Sequence, residues 1–237
     1  MMNKGIDAPL VPFLLCLGGL ALIGLGLVPP IEVGMSLALQ LAGGLYLIAC
    51  GCVFIHTSLV GKEKIWDKVL NQNKIDSTAK CLDIGCGNGL VMFKLAKVAL
   101  NGKVVGIDIW RSRDQSNNSK RKVETNIRQM NLDKRVEVLT ADMREMPFDT
   151  DSFDVVASSL AIHNVKPAKE REKALREIAR VLKDSGKLLL VDMERKDNEY
   201  ISVLKSLGFS HFAVQYSGFN GWWGGPWAPT FVLVASR

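Results

Sequence analysis

Charge is almost absent from the N-terminal part of this chain. Between Ala8 and Gly61 the single charged residue is Glu32, so residues 11–28 and 33–60 form two uninterrupted apolar runs. Cysteine is sparse as well: Cys16, Cys50 and Cys52 sit in those runs, and Cys81 and Cys86 lie beyond them. Their spacing is neither that of a disulfide framework nor that of a zinc site, so a stapled secreted scaffold is excluded and no metal is expected. Basic clusters are lacking too. The 30 Lys and Arg are dispersed among 24 Asp and Glu, and no nucleic-acid-binding module accompanies them, so nucleic acid is not an expected partner.

What is present at the N-terminus is hydrophobicity. A chain of 237 residues with 48% hydrophobic content and positive mean hydropathy suits one domain plus an apolar extension. As a helix, each run reaches roughly the 30 Å of a hydrocarbon core. A secretory leader would need a basic start and a small-residue cleavage site. Here only Lys4 and Asp7 precede the first run, and a second run follows at once. A hairpin buried in a soluble core is the other alternative, but the rest of the chain supplies a core of its own. The expectation is a membrane anchor over residues 1–60, with two transmembrane helices broken at Pro29-Pro30. Lys4 precedes the first span and Lys62, Lys64 and Lys68 follow the second, with Glu32 alone between them. The positive-inside rule then places both ends, and the rest of the chain, on the cytoplasmic side of an integral membrane protein. Gly18, Gly19, Gly24 and Gly26 in one run and Ala38, Ala42, Gly43 and Gly44 in the other would let the two backbones approach. Gln40 reads as a hydrogen bond between the helices and His56 as a marker of the membrane boundary. In residues 61–74, Ile65, Trp66, Val69 and Leu70 fall at helical spacing, an amphipathic linker helix. Its Trp66 would rest in the headgroups or pack on the domain that follows.

The chemistry-bearing motif is Asp83-Ile84-Gly85-Cys86-Gly87-Asn88-Gly89, between a strand over 80–84 and an apolar helix from Leu90. At such a turn a glycine tolerates φ > 0, and its missing side chain lets a ligand approach the main chain. An ordinary tight loop would also use glycine here. A dinucleotide fingerprint requires G-x-G-x-x-G/A, and Leu90 stands where its last small residue should be. A second strand over 103–107 ends in Asp108, where a doubly wound sheet places an acid on ribose hydroxyls; capping of the next helix is the alternative. A third strand (136–140) runs into Ala141-Asp142-Met143, and a fourth (153–159) into Leu160-Ala161-Ile162-His163-Asn164. A helix over 170–183, a strand over 186–192, a sixth strand near 212–216 and a last one over 230–235 follow.

This ordered set of landmarks resembles the class I S-adenosylmethionine (SAM) dependent methyltransferases, nearest to their small-molecule and quinone-type branch. Asp108-Ile109-Trp110-Arg111 with Asp114-Gln115-Ser116 looks like a membrane-attached subgroup. The resemblance implies an α/β fold over 75–237: a Rossmann-like seven-strand sheet, mostly parallel, with helices on both faces. It implies SAM as cofactor, with Gly85, Gly87 and Gly89 in the turn beneath its methionine part and Asp83 near its amino group. It further implies Asp108 and Ile109 at the ribose, Asp142 and Met143 at the adenine, and Ser158 within the cofactor site. Ser158-Ser159-Leu160 lacks the Pro-Pro-aromatic signature of enzymes that methylate base amino groups. His163 is the candidate catalytic base for an oxygen or carbon nucleophile, or else a residue of the substrate rim. The function expected is methyl transfer to a small, hydrophobic or membrane-resident acceptor. A catalytically silent SAM-binding membrane protein and a nicotinamide-dependent oxidoreductase are the alternatives. Finally, residues 218–227 hold three tryptophans and four glycines. They read as a loop that covers an apolar substrate or dips into the membrane interface, the alternative being packing on the sheet edge.

Overall fold

A computed structural model describes residues 5–27, 37–111 and 118–237. Lys4, Pro29-Pro30, Glu32 and Asp114-Gln115-Ser116, which carried parts of the reading above, lie outside them.

Apolar, β-branched segments separated by amphipathic helices fold as the alternation demands. Strands β1 (Lys80–Ile84), β2 (Lys103–Asp108), β3 (Val136–Thr140), β4 (Phe153–Ser159) and β5 (Leu182–Asp192) pair in parallel. Strands β6 (His211–Tyr216) and β7 (Phe231–Ser236) form a hairpin, with β7 antiparallel to β5. The order is β3-β2-β1-β4-β5-β7-β6. Because β1 is flanked by β2 on one side and β4 on the other, the chain winds in opposite directions from it. The crevice above the carboxyl ends of β1 and β4 is therefore the place for a ligand. One face of the sheet is covered by a cluster including Cys81, Met92, Phe93 and Val104, the other by Leu82, Ile84, Phe153 and Leu175. The fifth strand begins at Leu182, four residues before the 186–192 expected, because Leu182 pairs with Phe153 before the register shifts toward Val155. The preceding helix (Ala168–Val181) accordingly stops short of Lys183.

Two helices precede this domain, α1 (Leu10–Leu27) and α2 (Leu37–His56), both apolar and long enough to cross a membrane by length and composition. They pack glycine on glycine: a Cβ on Gly19 would lie 2.6 Å from the Gly44 carbonyl oxygen, and one on Gly44 would lie 2.6 Å from that of Gly19. Outward-facing leucines such as Leu17, Leu20, Leu39 and Leu45 are half exposed or more.

From α2 the chain continues without a break through one π turn (Thr57–Gly61) into α3 (Lys62–Gln72). α3 is part of the folded domain. Ile65, Trp66, Val69 and Leu70 are buried in the same cluster as Cys81 and Met92, and the Trp66 indole N–H donates to Ser159 Oγ at 2.9 Å. An amphipathic pattern states that one face needs a partner; here the partner is the sheet, and the headgroup alternative for Trp66 is discarded.

The tryptophan-rich loop packs against α2 and the π turn. Thr57 Oγ1 donates to the Trp222 carbonyl at 2.6 Å, the Trp223 ring meets Phe54 edge-on at 4.9 Å, and Trp227 lies 6.0 Å from Tyr46. Trp223 donates its indole N–H to Thr230 Oγ1 at 2.9 Å. The loop thus clamps the end of α2 and the π turn to the sheet, a use of aromatic surface that composition alone leaves open.

Candidate cofactor and acceptor site

The turn after β1 is tied to the neighbouring strand before any ligand is considered. Gly85 and Cys86 donate their N–H groups to the Ile107 carbonyl at 2.8 and 3.0 Å, and Gly87 donates to Asp108 Oδ2 at 2.8 Å. Gly85 has φ +69, and a Cβ there would strike the Ala161 Cβ at 2.3 Å, so the loop after β4 closes against a bare main chain. Gly89 has φ +87 at the N-terminus of the helix Leu90–Val98. It shapes the turn and is not among the residues that line the cavity.

The cavity above β1 and β4 is lined by Asp83, Gly85 and Gly87, by Asp108 and Ile109, and by Asp142 and Met143. Asp83 is fully buried, and its Oδ2 accepts the Met92 N–H at 2.9 Å. Its Oδ1 has no partner among the described residues. Burial, reinforced by the nearby Asp108 charge and opposed by the Met92 hydrogen bond, pushes this carboxyl up from 3.8 to about 7. An orphaned carboxylate oxygen beside a glycine cradle fits a cationic ligand group such as the ammonium of SAM. Asp108 is already oriented: beyond the Gly87 bond, its Oδ1 accepts the Trp110 N–H at 2.6 Å. Both oxygens of Asp142 are engaged by Arg144, which holds that carboxyl below its usual range and reaches on to Glu170 at 2.8 Å. An adenine amine would therefore share Asp142 with Arg144. Cys86 lies in the wall as a neutral thiol, since burial drives its pKa well up.

Two expected site residues lie behind the wall. Ser158 is buried and donates its hydroxyl to the Ile84 carbonyl at 2.8 Å, which fastens β4 to β1 rather than facing the cavity. His163 is buried, with Nδ1 2.5 Å from Asp192 Oδ1 and its backbone N–H on Asp192 Oδ2 at 3.1 Å. Tyr200 donates to the same Oδ2 at 2.8 Å, and burial together with Asp192 raises its phenol well above the usual value. The loop lines the cavity through Leu160, Ala161, Asn164 and Val165; His163 is absent from that set. In contrast, Asp7 and Lys62 do line it. Nothing local in the sequence marks them, because they lie 55 residues apart and meet only through the fold.

A family profile described as "Methyltransferase domain" matches residues 82–190. Among curated proteins, the chain is 33% identical over 127 residues to a sterol 4-C-methyltransferase of Caenorhabditis elegans, covering 54% of this chain and 34% of that protein. It is 30% identical over 146 residues to the demethylmenaquinone methyltransferase of Lactobacillus johnsonii, covering 61% and 56%. The chain thus spans about a third of the first and little over half of the second. Among solved structures, a geranyl diphosphate C-methyltransferase from Streptomyces coelicolor A3(2), with S-adenosylhomocysteine bound, superposes with a TM-score of 0.61 at 12% identity, over 77% of this chain and 82% of that one. That likeness is one of fold. With the seven-strand order, the glycine turn and the orphaned acid at its base, these matches identify residues 82–190 as a methyltransferase domain of the SAM-dependent kind, similar to small-molecule methyltransferases.

Proposed function

We propose that this protein is a membrane-anchored methyltransferase that moves a methyl group from SAM to a small hydrophobic acceptor resident in the bilayer, of quinol or sterol type. The observation that carries this reading is the shared wall: residues flanking the two apolar helices, Asp7 and Lys62, line the same cavity as the glycine turn. The named activities of the quinone and sterol relatives support it. The bound cofactor supplies an electrophilic methyl on sulfur. The chain's own part is to hold the cofactor on Asp83 and Asp108, exclude water, and align an acceptor against it, and alignment alone supplies several kcal/mol of the barrier. Membranes containing the protein, incubated with methyl-labelled SAM and a lipid extract, should yield a labelled lipid. Label confined to water-soluble products would discard the reading.

The same proposal includes topology. The apolar outward faces of α1 and α2, and the exposed Trp227 beside Tyr46, suit a hairpin whose domain end lies at the cytoplasmic interface. An impermeant thiol probe should label a cysteine placed beside Glu32 from the far side and none placed near Lys4. Labelling of both from one side would rule out the hairpin.

His163 is assigned a positioning role, because its Nδ1 is directed at Asp192 and the loop it carries forms the cavity wall. An asparagine amide can replace that donor. His163→Asn should therefore keep turnover within about tenfold, whereas loss of a general base costs about 10² to 10⁴. A fall of that size in His163→Asn, with SAM affinity unchanged, would return the base role to His163.

A further inference from the structure

Lysine in the first turn of a helix that follows a membrane span ordinarily sits in water or among headgroups. Lys62 does neither: its side chain is 9% exposed and its Nζ lies 2.6 Å from Asp7 Oδ2, itself 17% exposed. Asp7 is also held by Ser58, in the π turn that leads into Lys62. Its backbone N–H donates to Ser58 Oγ at 2.8 Å, and that hydroxyl donates back to Asp7 Oδ2 at 2.9 Å. The clamp joins the segment before the first apolar helix to the turn after the second.

Burying an ion pair is seldom a gain in stability, since desolvation offsets the attraction. Its location suggests another use. Lys62 lies one helical turn before Trp66, whose indole is anchored to Ser159. Ser159, the last residue of β4, begins the stretch of cavity wall that continues through Leu160 and Ala161. An ammonium has three donors, and Asp7 takes one of them. The ion pair is neutral, and the wall as a whole carries four acidic and four basic side chains. Such a wall suits a neutral hydroxyl better than a phosphate.

Resting on the function proposed above, we infer that Lys62, braced by Asp7, is the residue that binds the hydroxyl of the methyl acceptor, so that the membrane anchor contributes directly to substrate recognition. The hydroxyl belongs to a hydrophobic ring compound reaching the cavity from the bilayer side. Phenolic and sterol hydroxyls present the same chemistry to the ammonium.

The test uses the full chain in lipid nanodiscs loaded with a prenylated naphthohydroquinone, its dimethyl ether, or a 3-hydroxysterol. The wild type should prefer one free-hydroxyl acceptor, and the hydroquinone and sterol arms identify which. Lys62→Met, which keeps the stem and removes the donor, should raise the acceptor KM about ten- to hundredfold, the range for one hydrogen bond to a charged group. SAM affinity should stay within about twofold, and the tighter binding of the free hydroxyl over the ether, read by using the ether as a competing non-reacting ligand, should vanish. Lys62→Arg should restore part of that preference, and Asp7→Asn should weaken it. Should Lys62→Met fail to fold, the Arg and Asn variants carry the same comparison. An unchanged acceptor KM and unchanged hydroxyl preference in these variants would overturn the inference while leaving the methyltransferase reading intact. A wild type that binds SAM but methylates no hydroxylated ring lipid would overturn the reading itself.

Discussion

Below pH 7, the affinity of the protein for SAM should fall about tenfold per pH unit if the ligand's ammonium seats on Asp83, because that contact needs the charged carboxylate while the empty site favours the neutral one. Asp83 is fully buried, one of its oxygens lacks a partner among the described residues, and its carboxyl is raised to about 7. A ligand ammonium at that oxygen would restore the ordinary order of charge and pull the pKa back down. At pH 6, calorimetry in buffers of different protonation heat should register release of about one proton on binding. Asp83→Asn should flatten the pH profile and weaken binding at pH 8 by about ten- to hundredfold. A wild-type affinity constant between pH 8 and 5.5 would remove Asp83 from contact with the cofactor. The ligand-free fold should show the opposite slope. Because the folded pKa is raised from 3.8 to about 7, this group's contribution to stability is full below about pH 4 and is lost as pH rises through 7.

Trp66→Ala should destabilise the protein by about 3–5 kcal/mol, the range for emptying a fully buried tryptophan site. Trp66 has no exposed surface and packs in the cluster that includes Cys81 and Met92. For a unit of this size the melting temperature should drop by about 6–20 °C. Trp66→Phe keeps most of the apolar contact and loses the Ser159 hydrogen bond, so its cost should be nearer 1 kcal/mol. The same packing predicts that a chain starting at residue 61 folds, whereas one starting at residue 75 loses α3 and with it one cover of the sheet. Thermal melts of the purified variants check both statements, and a loss below about 1 kcal/mol for the alanine would mean that α3 is only a tether.

The strands and the glycine turn were legible in the sequence because their signals are local. Leu82, Ile84, Val104 and Val105 mark buried parallel strands by continuous apolarity, and Gly85 and Gly89 mark backbone that only glycine adopts without strain. What the sequence concealed is long-range. Ser158 and His163 occupy the positions the motif leads one to inspect, but their side chains turn to Ile84 and Asp192, because each buried polar group takes the nearest partner the fold offers. Asp7 and Lys62 carry no motif and are separated by both apolar helices. The tryptophans of residues 218–227 advertise a large apolar surface without naming its partner, which proved to be Phe54, Tyr46 and the turn at Thr57.

The unbroken run from Leu37 to Gln72 makes the link between the apolar hairpin and the sheet a shaft rather than a rope. Each residue in such a shaft sets an angle as well as a length: inserting one residue between Gly61 and Lys62 would swing α3 by about 100°, carrying Trp66 away from Ser159. The π turn at Thr57–Gly61 has the geometry of one such insertion absorbed into the helix, so it fixes the rotational phase between the apolar hairpin and the sheet. A transplanted hairpin of the right length but the wrong phase would pack correctly on itself and still leave the sheet facing the wrong way.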